Sequence, residues 1–320
     1  MTVHPVETDR LRRVFGARVA LDNVTFAVRE GEVFGLLGPN GGGKTTLFRI
    51  LSTMLAPSGG AARICGHDVE REAAAVRSCL GVVFQSPSLD PHLTVAENLR
   101  YGGHLYGLRG APLEARMRET AEALRVADRW SERVKTLSGG LQRRVEIAKS
   151  LLPRPRVLLM DEPSTGLDPV ARVDLWSIIG QLRAESAMTV VLTTHLMDEA
   201  ARCDRAAILH QGKLLACDTP EALCGMIGAD VLTLTGREPE RLAGRLQAEF
   251  GWAASVQDGT VRVEVPRAHE QVARIVEAFP GEILAVTAGR PTLEDVFVRL
   301  TGERLGGPWL ETAGGRRKRR

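Results

Sequence analysis

A nine-residue run, Gly38-Pro39-Asn40-Gly41-Gly42-Gly43-Lys44-Thr45-Thr46, restricts the possible folds of this 320-residue chain more than any other feature. It fits G-x-x-x-x-G-K-[ST] at every fixed position. The residues before it, Val33 to Leu37, are a short continuous apolar run, as expected of a buried parallel strand. Thr45 to Leu51 after it has a helical pattern. Strand, glycine loop and helix in that order read as a phosphate-binding loop. Its glycines let backbone N–H groups turn inward onto phosphate oxygens, and the helix N-terminus adds a favourable dipole. Within it, Lys44 is expected to reach the β- and γ-phosphates and the Thr45 hydroxyl to bind Mg²⁺. The loop points to a nucleotide and leaves the reaction open.

A second apolar run, Leu158-Leu159-Met160, ends in Asp161-Glu162-Pro163. Ionised side chains at the end of a buried strand cost free energy unless they have partners. Asp161 is expected to hold Mg²⁺ through a water. Glu162 is placed to polarise an attacking water as general base, an effect of about 10²–10⁴-fold. Between loop and carboxylates lies Leu137-Ser138-Gly139-Gly140, where Ser138 reads as the N-cap of a helix over Leu141–Leu152.

Around these motifs, residues 11–37 read as antiparallel strands, with Val19-Ala20-Leu21 and Val24–Val28 separated by a turn at Asp22-Asn23. Residues 94–152 are mostly helix-patterned. Thr94-Val95-Ala96-Glu97 forms a capping box, and Pro112 to Val126 is rich in Ala, Glu, Leu and Arg. This insertion, about residues 86–152, interrupts a β/α order that resumes with strands at Val157–Met160 and Thr189–Thr193 around a helix at Val170–Arg183. Beyond residue 226 the order becomes β-α-β-β-α-β, with Asp258-Gly259 as a hairpin signal between Val256-Gln257 and Val261–Val265. The expected fold is α/β. It is a P-loop NTPase (RecA-like) core with an antiparallel β subdomain and an inserted helical subdomain over residues 1–225. A small C-terminal α+β domain covers 226–305, and 306–320 is a basic tail read as disordered.

Composition narrows the function classes. No apolar run approaches the roughly 18–20 residues that span a bilayer, and Met1–Arg10 lacks the apolar core of a secretion signal, so a cytosolic chain is expected. The five cysteines show no Cys-x-x-Cys spacing and read as reduced packing residues. The net charge of +3 is misleading, because Arg316-Arg317-Lys318-Arg319-Arg320 holds five of the 42 basic residues and leaves 37 against 39 acidic ones. A nucleic-acid-binding face is therefore not indicated. The tail reads as a solvated end, with attraction to anionic lipid headgroups, about 1 kcal/mol per residue, as the alternative.

Together, the phosphate loop, the Ser-Gly-Gly turn and the Asp-Glu strand end resemble the ATP-binding cassette (ABC) family over residues 10–225. Pro87-Ser88-Leu89-Asp90 and Pro291–Phe297 with Leu300-Thr301-Gly302 are similar to its daunorubicin-resistance type of exporter ATPase. The resemblance implies further roles. Gln85 stands where the family's glutamine senses magnesium and water, and His195 stands where its switch histidine meets the γ-phosphate. Ser164–Asp168 matches its inter-subunit loop, with Asp168 as the named contact. Phe15 stands where an aromatic stacks on adenine; tyrosine is commoner there, and an ordinary surface phenylalanine is the alternative. Leu141 departs from the family's usual glutamine and leaves the Ser-Gly-Gly contact intact.

The implied function is an ATP-binding and ATP-hydrolysing subunit of a membrane exporter of a drug-like or lipophilic compound. Its cofactors are ATP and Mg²⁺, and its place is cytoplasmic, peripheral on the inner face of the cell membrane. It would pair head to tail, as a homodimer or with a related ATPase, each MgATP lying between one copy's loop and the other's Ser138-Gly139-Gly140. An integral membrane permease would carry the substrate, docked on Ser86–Asn98 through Leu89, His92 and Leu93, which read as exposed. Import stays open as an alternative. An ATPase acting on DNA or ribosomes is disfavoured: Ser138 lies only 94 positions after Lys44, too few for a long coiled coil, and there is one cassette rather than two.

Overall fold

The computed structural model describes residues 4–257 and 259–302; Asp258 of the expected hairpin turn and the expected tail lie outside the described residues. Contacts divide the chain into two compact units, Met1–Thr219 and Pro220–Arg320.

The first unit opens with two long antiparallel strands, β1 (Val6–Phe15) and β2 (Arg18–Val28), joined by a tight turn in which Gly16 has φ 57°. The turn expected at Asp22-Asn23 does not form there, because β2 runs through both residues. Register shifts by one residue between the pairs Leu11–Val24 and Arg13–Leu21, and Asn23 takes φ 52°. The polar pair therefore makes a bulge, which asparagine accommodates because it tolerates the left-handed region. Next come β3 (Val33–Leu37), α1 (Lys44–Leu51), β4 (Gly59–Ile64) and β5 (His67–Asp68). The antiparallel sheet has the order β2-β1-β4-β5.

After α2 (Ala73–Cys79) and β6 (Leu80–Val83), the chain forms α3 (Val95–Leu105), α4 (Gly110–Ala123) and α5 (Gly139–Leu151). The capping box forms at α3: the Glu97 N–H donates to Thr94 Oγ1 at 3.2 Å, and the Thr94 N–H donates to Glu97 Oε2 at 2.7 Å. Then follow β7 (Val157–Asp161), α6 (Pro169–Ser186), β8 (Thr189–Thr194), α7 (Met197–Ala200), β9 (Arg205–His210) and β10 (Lys213–Asp218). The second sheet runs β10-β9-β3-β8-β7-β6, parallel from β9 to β6. Every residue of β3, β7 and β8 is buried, as parallel strands covered on both faces require. One core gathers Phe34, Leu36, Phe48 and Leu159 with the antiparallel sheet; another gathers Leu158, Met160 and Leu192 with the helical segment. Each such side chain contributes about 1.5–3 kcal/mol by burial, so the strands are held from within and their ends are free to carry polar groups. Leu37 lies beside Thr194 and Asp161 beside Thr193, which brings the loops after β3, β7 and β8 out at one end of the sheet.

The second unit comprises α8 (Pro220–Gly225), β11 (Asp230–Gly236), α9 (Pro239–Phe250), β12 (Ala254–Gln257), β13 (Thr260–Val265), α10 (Ala268–Ala278), β14 (Ile283–Gly289) and α11 (Leu293–Thr301). Its antiparallel sheet has the order β12-β13-β11-β14 and buries Leu232, Leu234, Leu242, Leu246 and Ile275 in its core. The expected β-α-β-β-α-β order is present. Gln257 pairs with Thr260, so two residues connect β12 to β13, and Gly259 takes φ 74°. The contact division falls six residues before the expected one after Gly225, because α8 packs on α11.

Candidate nucleotide site

The glycines of the loop are demanded by backbone crowding. A Cβ on Gly38 would stand 2.1 Å from the Leu209 carbonyl oxygen, and one on Gly43 2.8 Å from that of Ala20. Gly43 also caps α1 with φ 109°, a conformation that L side chains rarely adopt. Lys44 is buried, and its Nζ donates to the carbonyls of Gly38 at 2.7 Å and Pro39 at 3.0 Å. The loop thus curls around its own lysine. Pro39, Asn40, Gly41, Gly43, Lys44, Thr45 and Thr46 line a cavity of about 140 Å³ together with Phe15, Arg18 and Ala20. Gly38 and Gly42 are buried beneath it. Phe15 is 46% exposed, with the Arg13 guanidinium 4.5 Å from its ring centre. Phe15 thus lines the cavity with part of its ring accessible.

Opposite Lys44 stand the two carboxylates. Asp161 is buried, and its Oδ1 accepts from the Thr193 hydroxyl at 2.6 Å. Glu162 adopts φ 45°, a left-handed conformation that costs about 1–3 kcal/mol in a residue with a side chain. It is held there because its N–H donates to both the carbonyl (3.2 Å) and the hydroxyl (2.9 Å) of Thr193. The twist turns its carboxylate toward four groups. Lys44 Nζ lies 3.6 Å from Oε1. Oε2 accepts from Thr165 at 3.2 Å and from Gln85 Nε2 at 3.4 Å. His195 Nδ1 stands 3.2 Å from Oε2, a charge contact when the ring is protonated and not an aligned hydrogen bond.

Electrostatics separates the two acids. The His195 ring is the largest influence holding the Glu162 carboxyl below its ordinary value, and Lys44 and Thr165 add to it against burial. Burial pushes Asp161 up, opposed by the Thr193 hydrogen bond, and lowers Lys44, opposed by Glu162. Glu162 is therefore the carboxylate better kept ionised. The two desolvated groups are the ones that phosphate oxygens and a cation would satisfy.

The donors suit a hard cation. Among the described residues, no three His, Cys, Asp or Glu side chains could hold a metal by themselves. One buried carboxylate with the oxygens of Thr45 and Gln85 matches the way Mg²⁺ is held, by few protein ligands plus the phosphates of a substrate.

Two expected residue groups lie elsewhere. Ser138 caps α5, accepting from the Leu141 N–H at 3.4 Å; it and Gly139 are exposed and line no part of the described cavity. A Cβ on Gly140 would stand 2.8 Å from Ala171 Cβ, and one on Gly139 3.8 Å from Leu167, so this turn packs beside the Ser164–Asp168 loop. Asp168 is exposed and caps α6, accepting from the Ala171 N–H at 2.9 Å.

Sequence reading missed two supports of the site. Thr193 fixes both acids. Glu199, 2% exposed, accepts from Thr194 Oγ1 at 2.6 Å and from the Ser164 hydroxyl, tying the segment that leads to His195 to the loop after Glu162. An acid four residues past His195 was the available signal.

Comparisons with known proteins identify the family. The family model described as "ABC transporter" matches residues 21–165. The chain is 39% identical to the Nod factor export ATP-binding protein I of Paraburkholderia xenovorans, over 94% of this chain and 98% of that one. It is 31% identical to the linearmycin resistance ATP-binding protein LnrL of Bacillus subtilis (94% and 99%) and 36% identical to the daunorubicin resistance ATP-binding protein DrrA2 of Streptomyces coeruleorubidus (95% and 97%). Among solved structures, an ATP binding subunit of an ABC transporter superposes with TM-score 0.62 at 31% identity, covering 70% of this chain and 93% of that one. With near full-length identity of this order and a phosphate loop facing paired carboxylates, the chain belongs to the ABC transporter family, as one of its ATPase subunits.

Proposed function

We propose that this ATPase powers export of a lipophilic, drug-like compound through a separate membrane permease, working as a pair of cassettes that sandwich two MgATP. Support for the sandwich comes from one observation: Ser138 and Gly139 are exposed, with Gly139 near Leu167, and line no part of their own chain's phosphate cavity. A nucleotide that they meet belongs to a second cassette. Support for export comes from the relatives, whose names describe Nod factor export and resistance to linearmycin and daunorubicin.

In this reading Phe15 stacks on adenine, the loop from Gly38 to Thr46 wraps the phosphates, and Lys44 neutralises them. Thr45, Asp161 and Gln85 hold Mg²⁺, which when bound offsets phosphate charge. Glu162 takes the proton of the attacking water, and His195 steadies Glu162 and meets the γ-phosphate. Asp168 answers to the partner cassette, and the second unit supports or regulates the pair. No helix among the described residues is long and apolar enough to cross a membrane, which fits a subunit peripheral on the cytoplasmic face and a partner that spans. The test is reconstitution with the six-helix membrane protein expected from a neighbouring gene. ATP-dependent accumulation of a lipophilic probe inside inverted vesicles, whose outer surface is the cytoplasmic one, is the expected result. ATP-dependent release of preloaded probe from these vesicles would overturn export.

A further inference from the structure

Helix α5 carries three charged side chains on one face, Arg143, Glu146 and Lys149, and all three grip the backbone of a neighbouring segment. Arg143 donates to the Phe84 carbonyl at 2.7 Å and the Gln85 carbonyl at 3.3 Å. Glu146 accepts from the Ser88 N–H at 2.6 Å and from Arg143 at 2.8 Å. Lys149 donates to the Ser88 carbonyl at 2.7 Å, its stem packed against Gly102 of α3. Arg143 and Glu146 are 6% and 3% exposed. Buried ion pairs of this kind contribute little net stability compared with apolar residues of similar size, so their placement calls for another account. The contacts are made to main-chain atoms. They therefore set where the segment Phe84–Ser88 sits, whatever its side chains do. The Gln85 side chain then reaches Glu162 Oε2, while the N-terminus of the same helix presents Ser138-Gly139-Gly140.

We propose that Arg143, Glu146 and Lys149 are positioning residues that lock the Gln85 segment to α5, so that the state of a chain's own nucleotide, felt at Gln85, sets the position of Ser138–Gly140 at the partner's nucleotide. The proposal rests on the roles given above to Gln85 and to Ser138–Gly140. It makes the two sites of a pair communicate through a single helix, without any contact between the nucleotides.

The test compares the full chain with Gln85→Ala, Glu146→Gln, Lys149→Met, and each of the last two combined with Gln85→Ala. Steady-state ATPase and melting temperature are measured for all. Lys149→Met removes one bond near the surface and keeps the experiment decisive if Glu146→Gln fails to fold. Each positioning variant should lower kcat at least about tenfold while KM for ATP and the melting temperature stay near wild type, since displacement by an ångström or less is enough. In the Gln85→Ala background the same changes should have no further effect, because the group they position is gone. Effects that multiply in that background, or that follow a fall in melting temperature, make the cluster purely structural and overturn the proposal. If Gln85→Ala itself leaves kcat unchanged, the reading of Gln85 falls and the proposal falls with it. That outcome is distinct from multiplying effects beside an impaired Gln85→Ala.

Discussion

Glu162 gathers the polar groups of the site, since Lys44, Gln85, Thr165 and His195 all lie within 3.6 Å of its carboxylate. If it is the proposed base, replacing it with Gln should abolish steady-state hydrolysis, retain MgATP binding and stabilise the proposed ATP-bound pair. Near-normal turnover would remove Glu162 from that role. A pH dependence follows from its lowered pKa. The stabilisation it provides is complete above the ordinary glutamate value of about 4.3 and is lost as pH falls through the lower folded value. The melting-temperature difference between wild type and Glu162→Gln should therefore persist near neutrality and shrink only below about pH 4.3; a difference that shrinks between pH 7 and 6 contradicts this. Gly38 is as sensitive for a steric reason. Alanine there would press a methyl to 2.1 Å from the Leu209 carbonyl of β9, which is backbone and cannot swing aside. Gly38→Ala should lower the melting temperature by roughly 2–10 °C and weaken ATP binding, as overpacking does. A variant melting with wild type would show that β9 yields.

At the scale of elements, burial redistributes what the segment Ser86–Asn98 can do. Its leucines both read as exposed in the sequence, yet Leu89 is 9% exposed and packs in the core of the helical segment, while His92 is exposed and Leu93 half-buried. A charge at Leu89 should destabilise the fold by about 3 kcal/mol or more, since it is desolvated without a partner. A charge at Leu93 should leave basal ATPase intact and reduce permease-coupled transport. Thermal melts and efflux of the two variants separate these outcomes, and unimpaired efflux with Leu93→Glu would place docking elsewhere. The helices and capped turns were legible because their signals are local. Thr94 and Glu97 are three residues apart, and Asp168-Pro169 caps and starts α6 within one turn. Strand β2 misled at Asp22-Asn23 because its continuity is decided by pairing with β1, not by its own polar residues.

For the whole molecule, the decisive question is whether Ser138 serves its own chain's nucleotide or a partner's. Ser138→Arg is preferable to a change at Gly140, whose side chain would meet Ala171 of its own chain. Lys44→Ala and Ser138→Arg should each be inactive. Mixed, they form pairs in which one site combines an intact loop with an intact turn, so ATPase activity or nucleotide trapping should return. If neither returns, the head-to-tail pairing loses its support. A chain ending at Thr219 should still bind ATP, because every residue of the phosphate cavity lies in the first unit. Loss of binding in a folded truncation would join the second unit to the site.

The phosphate loop, the strand ending in Asp161-Glu162 and the capped helix after Ser138 were each determined by the sequence alone. Their chemistry resides in consecutive residues whose backbone preferences decide the conformation. The meeting of Glu162 with Gln85, 77 residues away, and with His195 was decided by tertiary structure, through the parallel register of β6, β7 and β8. So were the strain at Glu162 and the burial of Leu89, Glu146 and Glu199. Periodicity in a single chain records which face of an element is apolar. It does not record which strand lies beside which, and that neighbour relation is what brings polar ends together and takes isolated side chains out of water.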